Sequence, residues 1–366
     1  MDLLSKITVL KETSGFDFDA DLFVGLLASL VGKQHAIVTV DGDMYLDFAE
    51  KMILLIASNI FGFTTTSVVC APETTSEEFA NSMLIASEFA PGSFSPLPSQ
   101  MHDNSAEYPW HGIRADTDQQ RGMLTQQQRG LSSRGQKFPN LVVIRNLDQS
   151  SNYVQAQLLE ILRTKKLVTS KGLFMTPPSF LVIPLLSKGN MRLHLFPYLL
   201  DHFFISHNYE PLNADESSAK PGKWTPLISL PPTTLQCLFS VKDIESLSSM
   251  ANSVCISAEM KRYMHDVMVF LRMHRAIRGG ISARASKDFE LLIRCLCPLH
   301  GIGFATPSIV VIAARKTYSH RITLATAQDE RSVLYGSEPE ALSKFIQHWT
   351  PDLVLDDVLD TVPAPM

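Results

Sequence analysis

Apolar residues recur along this chain in blocks whose spacing predicts alternating helices and strands. Leu22 to Val31 (LFVGLLASLV) predicts an apolar helix, interrupted by Gly32-Lys33-Gln34-His35. Ala36-Ile37-Val38-Thr39-Val40 follows as a short β-branched strand, and Leu46 to about Phe61 as a second apolar helix. Ser67 to Cys70 reads as a strand and Thr75 to Glu88 as a helix. Leu141 to Ile144 is apolar at every position, the pattern of a parallel strand covered on both faces. After it come a helix over Val154 to Leu162, with Leu158, Leu159 and Leu162 inward, and a strand over Phe180 to Ile183.

The pattern changes from Cys255 to Ile322, where three helices with clear punctuation are predicted. Ser257 stands at an N-cap, with Glu259 in the first turn where a carboxylate suits the helix dipole. Met260, Tyr263, Met264, Val267, Leu271 and His274 form one stripe at three- and four-residue steps, and Gly279 and Gly280 are expected to stop the helix. Ser282 caps a second helix with the stripe Ala285, Phe289, Leu292, Ile293 and Leu296, ended by Pro298 and Gly301. Thr306-Pro307 opens a third, which runs to about Tyr318. Pro339 to Trp349 is a further amphipathic piece, and Asp352, Asp356, Asp357 and Asp360 give the end of the chain an acidic cast. Clustered acids of this kind are usually solvated, a docking tail being the alternative.

Composition narrows the function classes. A chain of 366 residues with 45% hydrophobic residues can bury a large core, and two domains are expected. A formal net charge of −5 gives no broad pull toward nucleic acid or anionic lipid, so neither nucleic acid nor membrane is expected as a partner. No run of about 20 apolar residues occurs to span a bilayer. The acids Asp2, Glu12, Asp17, Asp19 and Asp21 are wrong for a targeting segment, and five cysteines suit a reducing compartment, so an intracellular location, cytoplasmic or nuclear, is expected. Cys295-Leu296-Cys297 with His300 lacks the spacing of a zinc site and reads as core thiols; no metal site is expected. From Pro91 to about Asn140, Pro, Ser, Gln, Asp and Arg dominate, which predicts a disordered insertion. Tyr108-Pro109-Trp110-His111 within it is a candidate partner-binding motif.

The phrases VMVFLRMHRAIRGGISARASKDFELLIRCLCPLHG (267–301) and FATPSIVVIAARKTYSHRI (304–322) resemble the C-terminal lid of AAA+ ATPases of the MoxR and magnesium-chelatase subunit I group. The turn Gly280-Ile281-Ser282-Ala283-Arg284-Ala285 carries alanine where the family has proline, and Ser319-His320-Arg321-Ile322 is close to the family's ending. The resemblance implies an α/β class, with an AAA+ P-loop-type parallel sheet flanked by helices and a three-helix C-terminal lid. The expected division is a core over 1–209, with the insertion at 91–140, a linker and connecting segment over 210–254, the lid over 255–322 and an extension over 323–366.

The same resemblance says which residues should handle nucleotide, and here the chain departs. A phosphate-binding loop requires G-x-x-x-x-G-K-[ST] between strand and helix. The slot after Val40 reads Asp41-Gly42-Asp43-Met44-Tyr45, with one remnant glycine, no lysine and two carboxylates that repel a triphosphate. The Asp-Glu expected at the end of the Leu141 strand, which would hold Mg²⁺ and polarise water, is replaced by Arg145 and Asn146. Asp148 is a substitute carboxylate or, as the stronger expectation, a cap for the next helix. Ser187 stands at the sensor 1 position, and His202 replaces the arginine finger in Leu200-Asp201-His202-Phe203. An unperturbed imidazole is mostly uncharged at neutral pH and makes a poor finger. Arg284, at the sensor 2 position, is either a nucleotide-facing cation or a helix-end surface arginine.

Three functions follow from the resemblance. One is a magnesium-chelatase-like AAA+ protein with a degenerate ATP site, a pseudo-ATPase acting as a non-hydrolysing scaffold or regulatory subunit. The alternatives are an ATP-dependent magnesium-chelatase motor that inserts metal into porphyrin, or an inactive subunit of a mixed AAA+ ring. ATP and Mg²⁺ are expected as cofactors only if the family activity is retained. The partners implied are proteins, including other AAA+ subunits.

Overall fold

The computed structural model describes residues 18–86, 136–188, 195–210, 239–329, 335–336 and 338–365. Most of the expected insertion, including Tyr108 to His111, and residues 211–238 lie outside the described residues.

Helix α1 (Ala20–Val31) is capped by the Asp19 carboxylate, which accepts from the Asp21 amide. Strand β1 (His35–Val40) leads to α2 (Leu46–Leu55), which continues as a π-helical turn over Ile56–Ile60. Then come β2 (Thr65–Val69), α3 (Ser76–Ser82), β3 (Leu141–Arg145), α4 (Asn152–Thr164), the hairpin β4 (Lys166–Thr169) and β5 (Gly172–Met175), and β6 (Leu181–Ser187). The short α5 (Pro197–Leu200) precedes β7 (Phe203–Tyr209). Five strands make one parallel sheet in the order β2-β3-β6-β1-β7. The expected α/β architecture is therefore present.

Strand alternation divides the core. Ala36, Val38, Val40, Leu141, Val143, Leu181, Ile183 and Leu185 face one apolar cluster, while Ile37, Val142, Ile144, Val182 and Leu186 face the other. A residue-by-residue switch of faces explains why these strands read as unbroken apolar runs. The second cluster is filled by α3, α4 and the hairpin. The first is larger and runs without a break through α1 into the C-terminal helices.

Those helices are α6 (Val241–Ser253), α7 (Ala258–Met273), α8 (Ala283–Leu299) and α9 (Pro307–Tyr318), followed by α10 (Pro339–Gln347) and α11 (Pro351–Thr361). Ser257, Ser282 and Thr306 cap α7, α8 and α9 as expected, each side-chain oxygen accepting an amide three residues on. The bundle is larger than three helices. The connecting segment ends in α6, which packs on α1 and α8, and α11 of the extension packs on α7 and α9.

Several elements differ from expectation. The Thr75–Glu88 helix stops at Ser82, because a capping box at Thr75 and Glu78 starts it but residues 85–86 join a two-residue ladder with 136–137. Gly279 and Gly280 do not stop α7, which ends at Met273. Ile277–Gly279 (β8) instead pairs antiparallel with Thr323–Leu324 (β9). Pro298 lies inside α8 near its end. The terminal acids are not merely solvated: Asp356 meets Arg315 at 2.9 Å and Asp357 meets His274 at 3.3 Å, tying α11 down.

A buried polar joint fixes the C-terminal helices to the sheet. The Arg321 side chain is 1% exposed, and its Nη2 donates to Asp288 Oδ2 at 2.5 Å, Phe203 O at 2.6 Å and Asp201 O at 3.2 Å. His320 Nε2 meets the same Phe203 carbonyl at 3.0 Å, and burial pushes the imidazole pKa down to about 3. Ser282 donates to Asp201 at 2.7 Å. Gly280 has φ +105°, and a Cβ there would lie 1.8 Å from Arg321 O, so the turn leaves room for backbone only. The Gly280–Ala285 turn and the Ser319–Ile322 ending are thus two sides of one contact.

Candidate functional site

The parallel sheet has two edges where loops gather, and the expected site residues divide between them. At the C-terminal edge, β1 delivers Gly42, β3 delivers Arg145 and Asn146, and β6 delivers Ser187, which pairs in register with Val40. Ligands of open parallel sheets bind outside this edge. Gly42 has φ +93° with nothing near its Cβ position, so it serves the turn into a 3₁₀ segment over Asp43–Tyr45 rather than a close approach.

The charges at this edge are reversed from those a nucleotide site uses. Arg145 Nη1 lies 2.5 Å from Asp47 Oδ1 and 3.0 Å from Glu50 Oε2, both on α2. A cation stands at the strand end, where a Mg²⁺ ligand would be acidic, and carboxylates stand on the helix that would receive phosphate. Cation and carboxylates satisfy one another. Asn146 takes the left-handed region, φ 53°, to start the 3₁₀ turn Leu147–Gln149. Asp148 lies in that turn and does not cap α4; Ser151 does, accepting from the Val154 amide.

His202 and Arg284 lie at the opposite, N-terminal edge. His202 precedes β7, and its Nε2 is 3.4 Å from Arg284 Nη1 in the first turn of α8. Burial, reinforced by Arg284, pushes the His202 pKa down to about 4, so this imidazole is neutral at physiological pH. Arg284 Nε is 3.8 Å from Asp288 Oδ2. The structure therefore separates Arg284 from Gly42 by the length of the strands.

Arg284 and His202 belong to a basic cleft of about 350 Å³, lined also by Lys33, Gln34, His35, Leu162, Arg163 and Lys165. Lys33 and Lys165 follow the ends of α1 and α4 and hold φ of 53° and 57°, the left-handed region. His35 is fully buried at the start of β1, and its Nδ1 accepts the Val182 amide at 3.1 Å. Lys165 Nζ lies 2.9 Å from His35 Nε2. Sequence reasoning missed this group. The signal it left was modest: a basic residue just past each of two apolar helices, where a cation suits the dipole.

Cys295 and Cys297 are buried, as expected, with burial raising their thiols to about 12 and about 11, while His300 is exposed. Among the described residues no helix is long and apolar enough to cross a membrane.

No protein-family model matches the chain. Curated relatives are named Maintenance of telomere capping protein 2. The one from Kluyveromyces lactis is 30% identical over 106 residues, 28% of this chain and 39% of that protein. The one from Saccharomyces cerevisiae is 32% identical over 101 residues, 26% of this chain and 28% of that protein. The chain thus matches less than half the length of these relatives. Among solved structures, a Cytophaga hutchinsonii protein described as a candidate ATPase superposes with a TM-score of 0.66 at 13% identity, covering 100% of this chain and 96% of that one. That likeness bears on the fold, which is the AAA+ α/β fold.

The names correct the functional expectation. Relatives at 28–32% identity carry the name Maintenance of telomere capping protein 2, which overturns the reading of this chain as a magnesium-chelatase motor, scaffold or regulatory subunit. The expectation that nucleic acid plays no part finds no support in them either.

Proposed function

We propose that this chain is an AAA+-fold protein that works in telomere maintenance in the nucleus, through protein partners, without hydrolysing nucleotide. The lid's likeness to the MoxR and magnesium-chelatase group is then one of form, inherited without that group's metal chemistry. The observation that carries the absence of hydrolysis is Arg145 bound to Asp47 and Glu50. In phosphoryl transfer, protein groups position phosphate and Mg²⁺ and stabilise developing charge, and each contributes orders of magnitude in rate. With the cation and carboxylates exchanged and paired to one another, Arg145 stands where the strand-end acid would hold Mg²⁺ against a phosphate. The telomere role rests on the relatives' names over the matched 101–106 residues.

Pure chain with ATP and Mg²⁺ should give no turnover and no Mg²⁺-dependent binding; measurable hydrolysis abolished by Asp47→Ala would overturn the first half. Deleting the gene in its own cell should expose chromosome ends to resection. Intact ends in the deletion strain would overturn the second.

A further inference from the structure

The N-terminal edge of the sheet gathers positive charge with little to oppose it. Lys33 from the end of α1, Arg163 and Lys165 from the end of α4, and Arg284 from α8 surround the cleft, with His35 from β1 and His202 before β7. Among the described residues no Asp or Glu lines it. Asp288 pairs with Arg284 Nε at 3.8 Å but more closely with Arg321 at 2.5 Å, and Asp201, beside His202, lies 3.7 Å from Arg321 Nε. Like charges converging on one space repel unless something of opposite sign enters. Lys33 and Lys165 also sit on left-handed backbone, a conformation that residues with a Cβ adopt only at a cost.

The hydrogen bonds around His35 add a more specific point. The Val182 amide donates to Nδ1, so that nitrogen carries no proton, and a neutral imidazole then has its single N–H on Nε2. That N–H faces Lys165 Nζ. An ammonium has no lone pair to accept it. The arrangement therefore favours the neutral amine of Lys165 over its ammonium form. Burial and then the nearby Arg284 lower the Lys165 pKa, and burial with Lys165, Arg284 and His202 holds His35 well below its usual value.

We propose that this cleft binds a dianion of the sulfate or phosphate class and that Lys165 takes up one proton from solvent as the anion enters. Arg163, Arg284 and Lys33 supply fixed charge. Lys165 supplies the adjustable one, accepting from His35 when the cleft is empty and donating to the anion when it is filled. No bond other than N–H is made. The chemistry is independent of the role proposed above.

Sulfate is the probe, because it does not itself titrate near neutrality. Calorimetry of the full chain should be run above about pH 8, where an imidazole carries no charge, in two buffers of different ionisation enthalpy. The expected result is uptake of about one proton per sulfate, with affinity falling up to about tenfold per pH unit. Lys165→Arg should still bind, with no proton uptake, since arginine stays charged. Lys165→Met should bind more weakly and also without uptake. Failure of sulfate and pyrophosphate to bind the folded chain would overturn the proposal, as would binding without proton uptake or a slope that survives in Lys165→Arg. A comparison without Mg²⁺ names the source: tighter binding of pyrophosphate points to free phosphates, tighter binding of ATP to phosphates carried on a nucleotide, and either supports the site.

Discussion

The two edges of the sheet carry the same kinds of residue and use them in opposite ways. At the C-terminal edge, Arg145 is closed against Asp47 and Glu50. At the N-terminal edge, Lys33, Arg163, Lys165 and Arg284 face a cleft that no described acid lines. An AAA+ fold ordinarily presents its ligand at the first edge. Here the cleft proposed to take an anion lies at the second. A fold constrains where a site can be built, but the charges decide which site is in use.

The largest effects should come from the joint that holds the cleft together. Arg321→Met leaves buried Asp288 with only the more distant Arg284 Nε at 3.8 Å, and loss of the close partner of a buried pair costs roughly 3–5 kcal/mol. Gly280→Ala forces a Cβ onto Arg321 O from a φ of +105° and should cost at least about 4 kcal/mol. Denaturant unfolding should record both losses. If either variant keeps wild-type stability, the N-terminal edge does not depend on this contact.

A middle-sized effect belongs to pH. His320 drops to about 3 in the fold and His35 is also held low, whereas both titrate near 6.5 when unfolded. The unfolded chain therefore binds more protons as pH falls below 6.5. The His320 contribution is full above that value and is lost as pH falls toward about 3, at about 1.4 kcal/mol per pH unit, and His35 acts in the same direction. His320→Gln should flatten the slope measured by urea titration across that window; an unchanged slope would mean that this imidazole is not held neutral.

The smallest effect lies at the opposite edge. Arg145→Met leaves Asp47 and Glu50 repelling one another, but Asp47 is 69% exposed and water screens it. A loss of about 1 kcal/mol is expected, with sulfate binding at the cleft unchanged. A change in sulfate affinity would show that the two edges are coupled.

What the sequence made legible follows from local physics. Ser257, Ser282 and Thr306 announce three helices because a cap bonds within its own turn, and Leu141 to Ile144 announces a strand because burial on both faces leaves no polar position. The slot after Val40 was readable for the same reason, as a run of adjacent letters. The cleft was not, because Lys33, Lys165, His202 and Arg284 are far apart in the chain and meet only through the strand order. The left-handed backbone of both lysines likewise leaves no mark on composition. Gly280 shows the middle case: its glycine was visible, but as a helix stop, when its real constraint comes from Arg321 across the joint.

Helix α1 has one more consequence. Leu22, Phe23, Leu26, Leu27, Leu30 and Val31 are all buried, some against the strands and some against α6 and α8. It is a keel shared by both halves, so tilting the helical half would drag the sheet with it or strip oily surface bare. Among the described residues, a partner would meet sheet and helices resting on one common apolar bed.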